Sequence, residues 1–181
     1  MTGQNTQRLF FALWPDDEVR VRLRRAASVL EGVRGRRVAV GNLHITLVFL
    51  GNVSAEGRAC AESAAAAVRG TAFTLVLDRI GAFPRARVVW LGPSRVPDVL
   101  GELASSLNAR VAACGLDLDR RPYHPHLTLL RKVSRPPAPT QLEEPVPWPV
   151  REFALIESRN TAQGVEYHPV GTWTLAQGLT G

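Results

Sequence analysis

The chain has 181 residues, 45% hydrophobic and 21% charged, a balance that excludes wholesale disorder and fits one globular domain or two small lobes sharing a core. Its longest apolar-rich runs, 9–14 and 45–50, fall far short of the roughly 20 residues that span a bilayer. Net charge is +6 from 22 basic and 16 acidic residues, which suits an anionic partner such as RNA. However, 21 of the 22 cations are arginine and only Lys132 is lysine, a skew that genome composition alone can produce.

In chain order, Phe10, Phe11, Leu13 and Trp14 read as a short buried strand. A single cation (Arg8) before that run makes it a poor secretory signal, so a cytoplasmic, membrane-free protein is expected. Pro15-Asp16-Asp17-Glu18 then supplies the proline and acids that helix N-termini favour. Val19, Leu23, Ala26, Ala27 and Leu30 follow at helical spacing. Residues 42–51, rich in β-branched and aromatic side chains and closed by Gly51, predict a strand. Ser54 is placed to cap an alanine-rich helix reaching about Val68, and 73–80 and 87–91 read as two strands.

The second half repeats this scheme. Pro97-Asp98 opens a helix with Val99, Leu103, Leu107, Val111 and Cys114 on one face, ended by Gly115. A His-led strand starts at His126, residues 153–156 echo 73–76, and 167–175 supply a closing strand. Phe73 follows His44 by 29 residues, and Phe153 follows His126 by 27. Six of the 13 prolines fall in 136–149, which reads as a loop. A duplicated unit is expected, in which a helix precedes a His-x-Thr strand and a hairpin follows. The predicted fold is α+β and bilobal, with mostly antiparallel sheets, helices on the outer faces and a cleft between lobes. Cys60 and Cys114 lack metal-ligand spacing and are expected to be buried thiols rather than a disulfide.

His-x-Thr-Leu occurs at 44–47 and again at 126–129, although the chain holds only four histidines. On a strand, residues i and i+2 share a face. His44 therefore projects with Thr46, away from Ile45, Leu47 and Phe49, and His126 projects with Thr128. If the halves meet about a pseudo-two-fold, two imidazoles and two hydroxyls surround one anion. That set suits metal-free phosphodiester chemistry, in which one neutral imidazole removes a proton and one protonated imidazole gives one. The threonine hydroxyls donate to charge developing on phosphoryl oxygens, and Arg131 adds a bidentate cation. Phe49 and Tyr123 are candidates for base stacking, although Phe49 is read first as core and Tyr123 first as loop packing. His124 with His126 and His44 makes a metal site conceivable, but no Asp or Glu lies near either motif to complete the ligands. No metal or other cofactor is expected.

The stretches Asn42-Leu43-His44-Ile45-Thr46-Leu47-Val48-Phe49-Leu50-Gly51 and Tyr123-His124-Pro125-His126-Leu127-Thr128-Leu129-Leu130-Arg131 resemble the two signatures of the 2H phosphoesterases. Within them they resemble the RNA 2',3'-cyclic phosphodiesterases, also called 2'-5' RNA ligases. The likeness extends to 8–15, 81–84, 89–92 and 153–158, so it covers the whole chain as one domain (1–181) of two similar lobes. It implies metal-free opening of a terminal 2',3'-cyclic phosphate on RNA to a 2'-phosphate, with 2'-5' ligation as the reverse. It implies that His44 is the proton donor and His126 the proton acceptor. Thr46 and Thr128 would hold the phosphate, and Arg131 would contact the substrate. The implied partner is an RNA end, tRNA-like or an oligonucleotide, acted on by a monomer. Three alternatives stand beside it: a 2H enzyme for a small cyclic nucleotide or 2'-5' oligonucleotide, a non-catalytic RNA-end-binding protein, and a metal hydrolase. The loop at 136–149, and Arg34, Arg36 and Arg37 near the first motif, are candidate specificity regions.

Overall fold

The structure, a computed structural model, describes residues 6–178. The elements run β1 (Gln7–Leu13), α1 (Asp17–Ala26), β2 (Arg36–Arg37), β3 (Ile45–Val53), α2 (Ala55–Ala66), β4 (Phe73–Phe83), β5 (Val88–Gly92), α3 (Asp98–Ala112), β6 (Leu127–Arg131), β7 (Thr140–Val150), β8 (Glu152–Thr161) and β9 (Gly164–Thr174). The local signals act as the sequence suggests. Asp16 caps α1 by accepting the Val19 N–H, Ser54 caps α2 by accepting that of Gly57, and Pro97 precedes α3, which has Asp98 in its first turn.

The strands form one sheet in the order β7-β4-β5-β6-β3-β1-β8-β9, with β2 added beside β6. Its strands pair antiparallel, and the fold is α+β. The sheet has two four-stranded halves, each with a His-x-Thr strand at its inner edge, and the Ile45–Leu127 pair joins β3 to β6. Strand for strand, β3 corresponds to β6, β1 to β5, β8 to β4 and β9 to β7. The echo between 73–76 and 153–156 therefore falls on equivalent strands.

The main core lies between the sheet and the helices, where Leu9, Phe11, Leu13, Ile45, Leu77, Leu107 and Leu127 are buried. The alternate residues of β1 and β8, namely Phe10, Ala12, Ala154 and Ile156, make a separate cluster on the other face. This is the period-two alternation of a strand read from both sides. Helix α1, which links β1 to β3, packs on β7 of the other half, and α3, which links β5 to β6, packs on β3. Each half is covered by a helix belonging to the other.

The structure departs from the sequence reading in three places. First, the hairpin that follows the first motif does not stay with it: β4 and β5 pair beside β6, whereas β8 and β9 return beside β1 and β3. The 12-residue α2 carries the chain across the helix layer, so sequence order and sheet order are exchanged.

Second, most of 136–149 is not a loop. Residues 140–150 form the edge strand β7, with Val146, Trp148 and Val150 buried. Pro145, Pro147 and Pro149 take every second position, and on an edge strand alternate N–H groups face away from the ladder, so proline there loses no ladder bond.

Third, Cys60 and Cys114 form a disulfide, with Cα atoms 5.9 Å apart. Helices α2 and α3 lie side by side, which brings together two cysteines 54 residues apart. No local spacing motif reports such a contact.

Candidate active site

Ile45 and Leu127 are fully buried on the helix side, so the residues flanking them face the other side. Continuing the antiparallel register sets His44 across from Thr128 and Thr46 across from His126. Strand geometry makes this a rectangle of about 5 Å by about 7 Å between Cα positions, with the histidines on one diagonal and the threonines on the other. An anion placed at its centre would have an imidazole on each of two opposite sides.

The two histidines are oriented by the same device. His44 Nδ1 lies 2.7 Å from the Asn42 carbonyl, and His126 Nδ1 lies 2.7 Å from the His124 carbonyl. A carbonyl only accepts, so Nδ1 carries the proton in both rings and Nε2 is the ring nitrogen left without a proton in the neutral form. This bond draws the carbonyl of residue i−2 toward the ring, and the regular strands begin one residue after each histidine.

Aromatic rings box in His44. Its centroid is 4.8 Å from Phe10 and 5.1 Å from Tyr167, and Trp14 stacks on it at 6.2 Å. Burial lowers the His44 pKa to about 4, with Arg131, His126 and Arg20 adding to the effect and the Asn42 carbonyl opposing it. His126 meets Phe83 edge-on at 5.0 Å and His124 at 6.0 Å. Its pKa is also lowered, mainly by burial, with His124 and Arg131 contributing and the His124 carbonyl opposing. Both imidazoles are therefore neutral at pH 7 in the free protein. Arg131 ends β6, is exposed, and acts electrostatically on both rings.

Phe49 is 39% exposed rather than core; the Arg8 guanidinium lies over its ring at 4.9 Å. Tyr123 is 36% exposed, and the rings packed on His126 are instead those of Phe83 and His124. His124 packs edge-on against Trp90 at 5.0 Å. Among the described residues, no three His, Cys, Asp or Glu side chains form a group that could hold a metal ion. Arg36 and Arg37 lie on β2 opposite Arg131 and Leu130, beside the second motif rather than the first.

Residues 15–162 match the family model of the 2'-5' RNA ligase superfamily. The chain belongs to that superfamily. It is 40% identical over 174 residues to the RNA 2',3'-cyclic phosphodiesterase of Escherichia coli (strain K12), covering 94% of this chain and 98% of that one. It is 33% identical to the Archaeoglobus fulgidus protein of the same name, covering 88% and 96%. Among solved structures, E. coli LigT complexed with 3'-AMP superimposes with a TM-score of 0.89 at 38% identity, covering 96% of this chain and 100% of that chain. TT0787 of Thermus thermophilus gives 0.75 at 28% identity, covering 94% and 98%.

Sequence reasoning about this superfamily member missed the residues that surround the motifs. Phe10, Trp14 and Tyr167 reach His44 from strands 30 or more positions away or from the turn after β1, and Phe83 reaches His126 from β4. The one available signal was the β1 alternation, which puts Phe10 and Ala12 on the face opposite Leu9, Phe11 and Leu13. Arg20 was also missed. It is buried, donates to the Val40 carbonyl and, at 3.4 Å, to that of Leu43, and lies over Trp14 at 4.7 Å. Finally, Gly81 lies beneath Trp90, where a Cβ would come within 2.3 Å of the indole. Glycine there lets Trp90 lie close to the sheet and pack against both Phe83 and His124.

Proposed function

We propose that the chain hydrolyses the terminal 2',3'-cyclic phosphate of RNA to a 2'-phosphate, using His44 and His126 as the proton-transfer pair. The diagonal placement of the two imidazoles carries this reading, because in-line displacement at phosphorus needs a base and an acid on opposite sides. The names of the E. coli and A. fulgidus relatives support the reaction.

His126, the more open of the two rings, takes a proton from the attacking water at Nε2. The P–O3' bond breaks, and His44 Nε2–H gives its proton to the departing 3' oxygen. Thr46 and Thr128 donate to the non-bridging oxygens, where charge grows in the transition state, and Arg131 neutralises the phosphate. The phosphate's negative charge raises the pKa of whichever imidazole faces it, so substrate binding supplies the condition for His44 to be protonated. The low intrinsic pKa of His44 then makes it a strong donor. Run backwards with a 5'-hydroxyl in place of water, the same site forms a 2'-5' linkage.

The site is assembled within one chain, which fits a monomer. Among the described residues no helix is long and apolar enough to cross a membrane. We place the work on RNA ends in the cytoplasm.

The test is conversion of an RNA oligonucleotide ending in a 2',3'-cyclic phosphate, with EDTA present, by wild type, His44→Ala and His126→Ala. A 2'-phosphate product from wild type, lost in both variants, is expected. Conversion that survives both substitutions overturns the assignment of the site.

A further inference from the structure

Three segments converge where β6 leaves the active site. β2 runs along one edge of β6, with Arg36 opposite Arg131. The β4–β5 turn reaches the exit of β6 from the other side: the Val133 N–H donates to the Arg87 carbonyl at 3.0 Å, and Arg87 Nη2 donates to the Lys132 carbonyl at 3.4 Å. Gly35 closes the contact, for a Cβ there would lie 2.7 Å from Val133 and 3.0 Å from the Arg131 carbonyl.

The charge of this region is one-sided. Residues 33–37, 84–88 and 130–135, which meet there, contain 8 of the 22 basic residues and none of the 16 acidic ones. Arg36, Arg85, Arg87, Arg131, Lys132 and Arg135 are all exposed, and none is in an ion pair among the described residues. A second observation is independent of the charge count. Arg87 and Lys132 are the two non-glycine residues with positive φ among the described residues, at 56° and 57°. Glycine or asparagine fits that conformation with less strain, yet both positions carry a cation, at the point where the segments meet. Strain that persists in this way marks a position where the side chain has a use.

We propose that this basic lip binds the backbone phosphates of the RNA strand that ends in the active site, so that the enzyme acts on an RNA end in preference to a free cyclic nucleotide. The inference rests on the proposed reaction and names the part of the substrate beyond the reacting phosphate. Arg131 is the link between the two, since it belongs to the lip and lies four residues along β6 from Leu127, about 13 Å in an extended strand. A strand leaving the cleft along β6 meets the cations that flank its exit, Lys132 and Arg135 beyond the strand end, Arg85 on one side and Arg36 on the other.

The test combines Arg85→Gln, Lys132→Gly and Arg135→Gln in one protein. All three side chains are exposed and outside the catalytic set, and glycine at 132 suits the local backbone, so the folded state is retained; a thermal melt checks this. Two quantities are measured for wild type and variant across a range of salt: kcat/KM for a 2',3'-cyclic mononucleotide and for an RNA oligonucleotide with the same end, and affinity for the oligonucleotide carrying a 2'-phosphate. The variant is expected to match wild type on the mononucleotide and to lose roughly ten-fold or more on RNA at low salt. The slope of log affinity against log salt should flatten by about 2, from about 0.7 for each lost contact to a single strand. Equal values for wild type and variant on RNA, or equal losses on both substrates, overturn the lip. If wild type opens neither cyclic phosphate, the proposed reaction is what fails, and the binding measurement still decides whether the lip holds RNA.

Discussion

Asn42 ties the residue before the first motif to the strand that closes over it: its Oδ1 accepts the Tyr167 N–H at 3.3 Å. Its Nδ2 donates to the Val165 carbonyl at 2.7 Å, while its own carbonyl holds His44 Nδ1. One residue thus sets both the tautomer of His44 and the place of the Tyr167 ring packed against it. Asn42→Ala is expected to lower kcat by about 10-fold, with little change in KM, and to cost about 1–2 kcal/mol of stability from β9 groups left unpaired. Steady-state kinetics and a denaturant titration check the two effects. An unchanged kcat would falsify the positioning role.

The pH dependence has a definite sign. The proposed mechanism needs one imidazole protonated and one neutral, so kcat/KM is expected to be bell-shaped. Both rings titrate below the ordinary 6.5 in the free enzyme, with His44 at about 4, so the kcat/KM optimum lies on the acid side of 6.5. Bound phosphate raises both values, and the kcat optimum lies at higher pH than that of kcat/KM. Folding also couples to the same groups. A histidine whose folded pKa is depressed stabilises the fold fully above its unfolded pKa, and that stability is lost as pH falls from 6.5 through about 4, on the order of 3 kcal/mol for His44. Denaturant titrations of wild type and His44→Gln over this range should converge as pH falls. A kcat/KM that climbs steadily through neutrality contradicts the two-histidine mechanism.

In the proposed mechanism the threonines act on charge that exists only in the transition state. Thr46→Ala and Thr128→Ala are each expected to reduce kcat by roughly 100-fold with KM little changed. Effects confined to KM would assign the hydroxyls to ground-state binding instead.

Arg20 is a buried cation held by main-chain carbonyls rather than by a carboxylate. Its guanidinium fixes 40–43, the stretch leading into His44, and its charge is among those lowering the His44 pKa. Arg20→Met is expected to cost about 2 kcal/mol, from carbonyls left without a donor, and to move the acid limb of the kcat/KM profile to higher pH. Arg20→Lys retains the charge and should keep the limb in place. Identical pH profiles for Arg20→Met and wild type would leave Arg20 with a packing role alone.

The Cys60–Cys114 bond closes a loop of 54 residues. On the chain-entropy account it stabilises the oxidised protein by about 4 kcal/mol relative to the reduced one. Cys60→Ser, or reduction of wild type, should lower Tm while leaving kcat at moderate temperature unchanged, because the bond joins α2 to the end of α3 in the helix layer, on the face of the sheet away from the histidines. A Tm insensitive to both changes would show that packing of α2 on α3 already supplies the constraint.

What was legible in the sequence was local. Asp16 and Ser54 announced two helices through side-chain caps and Pro97 a third as the proline before its first turn, signals that need only neighbouring residues, and His44-Ile45-Thr46 and His126-Leu127-Thr128 announced both strands and the faces they present. What was not legible depended on distant partners. The alternating prolines of 145–149 look like a loop until β4 lies beside them on one edge only. Cys60 and Cys114 look unrelated until α2 and α3 pack together, and nothing near His44 in the chain says that Tyr167 will cover it.

The exchange of strands between the halves bears on how the protein is made. The half of the sheet that carries His44 draws β1 and β3 from the start of the chain and β8 and β9 from its end. On the ribosome, residues 73–150 emerge able to pair among themselves, while β1 and β3 wait with one edge open. Only when the last hairpin is released does β8 dock beside β1, Tyr167 reach the imidazole and Asn42 find its partners. The nascent enzyme therefore carries both signature motifs before it has a working site, and catalytic competence waits for β8 and β9 to be made.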